Sequence, residues 1–125
     1  MIYTIPFELP SLNEYVNAER SNRFAGAKMK KDIEKRIHAE LLRQDVVMHS
    51  VPVYIVFEWK CKNKRKDKDN VAFAKKFLLD SLVRCGIIPN DTWAMVRGFS
   101  DMFPDPDKDD VGVVITIYED GEEEE

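Results

Sequence analysis

Asp67 and Asp69 stand two residues apart in the stretch KDKDNVAFAKKFLLDSLVRCGIIPND, which runs from Lys66 to Asp91. In an extended segment, carboxylates at that spacing point to the same side of the chain. They make a small oxygen-rich site of the kind Mg²⁺ takes, because that ion accepts one or two protein carboxylates and keeps water for a phosphate substrate. Mn²⁺ suits the same donors. The plainer reading is two solvated aspartates ahead of a helix, with Asn70 as its N-cap. On a continuous helix, Lys76 lies near the azimuth of residue 69, with Asp80 close by, while Lys75 points elsewhere. There the Lys76 ammonium can hold a scissile phosphate or stabilise developing charge. Composition alone favours a simple (i, i+4) surface pair of Lys76 with Asp80. Asp91 follows a turn made of Gly86, Pro89 and Asn90. That turn either returns it to the carboxylates or leaves it an ordinary turn aspartate.

The surroundings of the pair are basic. Lys60, Lys62, Lys64, Arg65, Lys66 and Lys68 abut it and suit contact with a phosphodiester backbone. Arg20, Arg23, Lys28, Lys30 and Lys31 form a second basic segment, either a further DNA rail or an exposed helix face. The net charge of −4 hides this polarity. Residues 1–84 hold 17 of the 19 Lys and Arg against 11 of the 23 acids and carry +6, whereas residues 85–125 carry −10. A chain sorted in this way can offer a basic face to a polyanion while staying acidic overall. Residues 119–125, ending in GEEEE, read as an acidic disordered tail, with residues 1–118 as one domain.

The elements that must position these groups follow from periodicity. Ile2–Phe7 and Val53–Trp59 alternate as strands, the second with Val53, Ile55, Phe57 and Trp59 on one face. Ser11–Asn17 reads as loop. From about Ala18 to Gln44 the composition is helical, with Ile33, Ile37, Leu41 and Leu42 as the stripe. A second helix is expected from Asn70 to about Arg84, closed by Gly86 at the C-terminal cap position. Thr92–Phe99 and Val111–Tyr118 are the remaining strands, separated by a proline-rich acidic loop over Asp101–Asp110. The order β-α-β-α-β-β predicts an α+β domain, one mixed sheet with two main helices packed on it.

The set D67-K-D69-N70, K76-F-L-L-D80-S-L and G86-I-I-P-N90-D91 resembles the signature of RusA-type Holliday junction resolvases, found largely in phages and prophages. The opening P10-S-L-N13-E-Y15 is similar to the same family's N-terminal loop, so the resemblance spans nearly the whole chain below the acidic tail. It implies a RusA-like fold and a homodimeric, Mg²⁺-dependent endonuclease that cuts four-way DNA junctions by symmetric paired nicks in recombination and repair. It also implies Asp67, Asp69 and Asp91 as metal ligands and Lys76 as the catalytic lysine. Two departures stand out. The interval from Asn70 to the lysine is about one helical turn longer than in the family, so Lys75 or Lys76 could be the counterpart, and the K-F-x-x-D spacing to Asp80 favours Lys76. Asn90 stands where the family often carries an acid.

The remaining chemistry-bearing residues are less eventful. Cys61 and Cys85 lack CxxC partners and read as free cytosolic thiols, and no secretory leader is read at the N-terminus; the resemblance implies the cytoplasm of a bacterial or phage-infected cell. Asp105, Asp107 and Asp109 imitate the start of an EF-hand, but Asp110 and Thr116 occupy the positions that need Gly and Glu. His38 and His49 have no partners at metal spacing. Trp59 belongs in the core; an exposed Trp93 or Phe99 could stack on a splayed base. The alternative to a nuclease is a junction- or duplex-binding protein that uses the same basic face without cutting.

Overall fold

β2 (Val53–Lys60) is the spine of the molecule, pairing with a strand on each side. The structure, a computed structural model, describes residues 1–119. The sheet order is β1-β4-β2-β3, with β1 (Ile2–Ile5), β3 (Val96–Met102) and β4 (Gly112–Glu119) around that spine. β4 lies antiparallel to both β1 and β2, and β2 runs parallel to β3, so the sheet is mixed as expected. The helical layer is α1 (Leu12–Ser21), α2 (Ala25–Leu42), α3 (Lys68–Ala72) and α4 (Lys75–Arg84). Ile33, Ile37 and Leu41 of α2 and Leu78 and Leu82 of α4 are buried in one cluster with Val53, Ile55, Phe57 and Trp59 of β2. Each such side chain contributes roughly 1.5–3 kcal/mol by leaving water. None of the described helices is long and apolar enough to cross a membrane.

Both expected helices are divided, and each division has a local cause. Ser11 is not loop but the N-cap of α1, in a capping box in which its hydroxyl accepts from Glu14 N–H and Glu14 accepts from Ser11 N–H. The chain then breaks at Asn22, whose side-chain oxygen accepts from Phe24 N–H at 2.8 Å, before α2 begins. The second break falls at Phe73–Ala74, where bonds tighten to i−3: Ala74 to Val71, Lys76 to Phe73, and Phe77 to Ala74. Phe73 there packs against Tyr15 and Phe77, at ring separations of 5.5 Å each.

The close of α4 is as expected. Gly86 takes φ 77°, Ile87 N–H reaches Leu82 C=O and Gly86 N–H reaches Val83 C=O, the doubly bonded end that a left-handed glycine permits. β3 begins four residues later than expected, because Thr92 bonds Asn90 through both its amide and its hydroxyl and its carbonyl accepts from Met95 and Val96. Residues 92–95 are therefore a turn. Glu119, expected to open the tail, is the last residue of β4, paired with Val53, and its carboxylate meets His49 Nδ1 at 2.9 Å. That buried histidine also donates its backbone N–H to Ile87, a structural role. The rest of the expected tail, residues 120–125, lies outside the described residues.

Candidate functional site

Where β2 ends, the chain turns through the basic run and enters α3. A cleft of about 560 Å³ opens at this point. One wall carries Lys64, Lys66, Asp67, Lys68 and Asp69, and the other is the 103–106 segment with Phe103, Pro104 and Asp105. Asp67 has extended backbone (φ −66°, ψ 152°) at the N-cap position of α3, and its side chain makes no cap bond. Its carboxylate is therefore not consumed by the helix. Asp69 accepts its neighbour's N–H, from Asn70, at 2.9 Å. Asn70 is not the cap that its sequence position suggests. Its side-chain oxygen accepts from Asn13 N–H at 2.9 Å and ties α1 to α3.

The basic run is held at several points. Lys66 Nζ meets Glu14 at 2.6 Å, and this bond is the main reason the Glu14 carboxyl sits below its usual range. Lys60 pairs with Asp110 at 3.1 Å. Lys68 lies 5.6 Å above the Phe103 ring on the opposite wall of the cleft. Lys62, Lys64 and Arg65 are exposed, and the loop between them is shaped by Lys62 N–H on Glu8 and Arg65 N–H on Asn63.

The two candidate lysines go to different places. Lys76 Nζ stands 3.0 Å from Asp80 and 3.6 Å from Asp91. These carboxylates, Asp80 foremost, raise its pKa above the usual lysine value. Asp80 also meets Lys30 of α2 at 3.4 Å, and Lys30 stands 3.9 Å from Glu34. Glu34 is buried, one of its oxygens has no hydrogen-bond partner, and burial pushes its pKa up. Lys75 instead crosses to the sheet, with its side chain 15% exposed. Its ammonium meets Asp101 at 2.6 Å and lies 4.0 Å from the Phe99 ring centre, while Trp59 Nε1 donates to the other Asp101 oxygen at 2.9 Å.

The structure thus brings Asp67 and Asp69 to one cleft and sets Asp91 with Lys76. The expectation that Lys76 leans over Asp69 assumed one continuous helix, and the break at Phe73–Ala74 changes the angle between them. Among the described residues no three carboxylate, imidazole or thiolate groups are gathered closely enough to enclose an ion. Asp67 and Asp69, exposed and facing the cleft, do fit an ion such as Mg²⁺ or Mn²⁺ that takes two carboxylates and keeps water.

Asp105, weighed in the sequence only as part of an EF-hand imitation, stands on the opposite wall, and Asp101, expected in a loop, is in β3 as the partner of Lys75. Pairing of β3 with β2 places Asp101, and the bond from Asp107 N–H to Cys61 C=O holds the segment of Asp105 beside the end of β2. The second basic segment falls at the corner between α1 and α2, where Arg20 closes α1, Arg23 lies 4.6 Å over the Phe24 ring, and Lys28 pairs with Asp32 at 2.8 Å. Trp93 is 98% exposed two residues beyond Asp91, and Phe99 is half exposed beneath Lys75. No family model matches the chain, and neither does any curated protein.

Proposed function

We propose that this chain is a metal-dependent endodeoxyribonuclease of the RusA type that acts on branched DNA such as four-way junctions. The observation that carries the reading is the cleft: Asp67 and Asp69 open onto it, and Lys64, Lys66 and Lys68 line the same wall. Alternating anions and cations on one concave surface suit a phosphodiester, because the cations hold the backbone and the carboxylates supply hard oxygen donors. A bound Mg²⁺ or Mn²⁺ would polarise the phosphate and activate a water for attack. Asp67 and Asp69 would hold it. Lys64 and Lys68 would grip phosphates on either side of the cut, with Lys66 braced by Glu14. Lys76, 62% exposed, would turn from Asp91 to the phosphate and balance developing charge. Paired symmetric nicks require two active chains related by a two-fold axis, hence a homodimer.

One observation favours the second reading, a protein that binds junctions without cutting them. In the single chain Asp91 stands with Lys76, apart from the Asp67 and Asp69 cleft. A nicking assay on a labelled four-way junction separates the two. Cleavage that requires Mg²⁺ or Mn²⁺ and is abolished in Asp67→Asn and Asp69→Asn, with junction binding retained or tightened in both, supports the nuclease. Binding without cleavage in any divalent metal supports the second reading.

A further inference from the structure

The corner between α1 and α2 carries an exposed aromatic side chain in a basic setting. Phe24 is 64% exposed, so its ring face is open to a ligand. The Arg23 guanidinium lies 4.6 Å from its ring centre. The pair is fixed by its surroundings: the Asn22 side chain bonds Phe24 N–H, and a methyl on Gly26 would collide with the Glu19 side chain, so α1 and α2 meet closely behind it. Arg20 stands in the last turn of α1, and Lys28 near the start of α2 pairs with Asp32 at 2.8 Å.

The corner is also placed at a set distance from the cleft. The start of α1 is bound to the cleft wall through Asn13 on Asn70 and Glu14 on Lys66, and its other end is this corner. Ten residues of helix span about 15 Å, roughly the rise of four stacked nucleotides of one strand. We propose that Phe24, backed by Arg23, is a stacking platform for an unpaired nucleobase of branched DNA, about four nucleotides from the phosphate held in the cleft. The proposal rests on the branched-DNA part of the nuclease reading and deepens it, since it names the substrate feature that tells a branch from plain duplex. An aromatic face with a cation stacked on it accepts any base by its π-surface, while Arg20 and Arg23 attract the flanking phosphates. Bases paired within a continuous duplex cannot reach such a platform without unstacking, whereas those at a branch point are already partly free.

The test uses the full chain and four-way junctions with a single 2-aminopurine at successive positions from the branch point, in EDTA so that binding is read without cutting. The wild type should change the fluorescence at one position near the branch. Phe24→Ala should remove that change and weaken junction affinity about 5- to 100-fold, with less than a two-fold effect on linear duplex. Phe24→Trp should restore both. Circular dichroism controls for folding, which an exposed side chain should not affect. If Phe24→Ala binds the junction as the wild type does, or weakens junction and duplex equally, the platform is refuted while the nuclease reading stands. Stacking seen in a protein that never cuts supports the platform and refutes the nuclease. A wild type that binds no DNA overturns both.

Discussion

Lys75 and Lys76 are adjacent and chemically identical, yet the structure predicts that they fail in opposite ways. Lys75→Met keeps the aliphatic stem over Phe99 and removes the ammonium that Asp101 accepts at 2.6 Å. The Asp101 side chain is only 26% exposed and retains Trp59 as a donor to its other oxygen. Stranding a half-covered carboxylate costs about 1–3 kcal/mol, and partial access to water brings this to about 1–2 kcal/mol. At roughly 4 °C per kcal/mol for a domain of this size, Tm should fall by about 4–8 °C. The double variant Lys75→Met/Asp101→Asn should recover about half of the loss, since the amide has no charge to strand. Lys76 is mostly exposed, and Asp80, as covered as Asp101, keeps Lys30 at 3.4 Å as a second cation, so Lys76→Ala should move Tm by no more than about 2 °C. Its cost should appear in the nicking rate, on the order of 10²-fold, with Lys75→Met losing less than about tenfold at 25 °C. Thermal unfolding followed by circular dichroism, beside single-turnover junction nicking, measures both quantities. A Lys75→Met protein that melts with the wild type and no longer cuts would refute the reasoning and make Lys75 the lysine that meets phosphate.

Three further outcomes are expected. Neutralising Lys64, Arg65 and Lys66 together should weaken binding to all junction sequences alike and reduce the slope of log Kd against log salt by about 2 rather than 3, because Lys66 is already occupied by Glu14; an unchanged slope would show that the run does not meet DNA. Burial raises the folded-state pKa of Glu34 above its unfolded value, so the native state binds the proton more tightly and stability falls as pH rises from the ordinary carboxylate range through the raised value. Glu34→Gln should therefore be as stable as the wild type or more so at pH 7, with the gain shrinking in acid, and urea titrations at pH 4 and pH 7 showing the reverse trend would contradict this. Trp59 is buried and Trp93 is 98% exposed, so any change in tryptophan emission on adding junction DNA should come from Trp93 and vanish in Trp93→Phe; a change that survives that substitution would point to motion around Trp59 instead.

The strand Val53–Trp59, the stripe Ile33, Ile37 and Leu41, and the cap at Gly86 were legible in the chain because each depends on local periodicity or on a single left-handed residue. The capping box at Ser11 and Glu14 was equally local and was written in the S-x-x-E spacing, although the segment reads first as loop. That Asp67 and Asp69 share one cleft agrees with their spacing of two, but Asp69 stands in the first turn of α3 and not in the extended segment expected. The helix break at Phe73 was not legible, because nothing in an apolar aromatic announces a tightened turn. It falls where Phe73 packs on Tyr15, a residue 58 positions earlier in the chain. That break decides which way Lys75 and Lys76 point. The partners of both lysines, Asp101 across the sheet and Asp91 beyond the turn, come from tertiary pairing, as does the opposite wall of the cleft at Phe103–Pro106. Residue types and short spacings thus named the chemistry available to this protein. Which charges stand within reach of one another was decided only when strands and helices distant in sequence packed together, because Coulomb and hydrogen-bond interactions depend on separation in space and not along the chain.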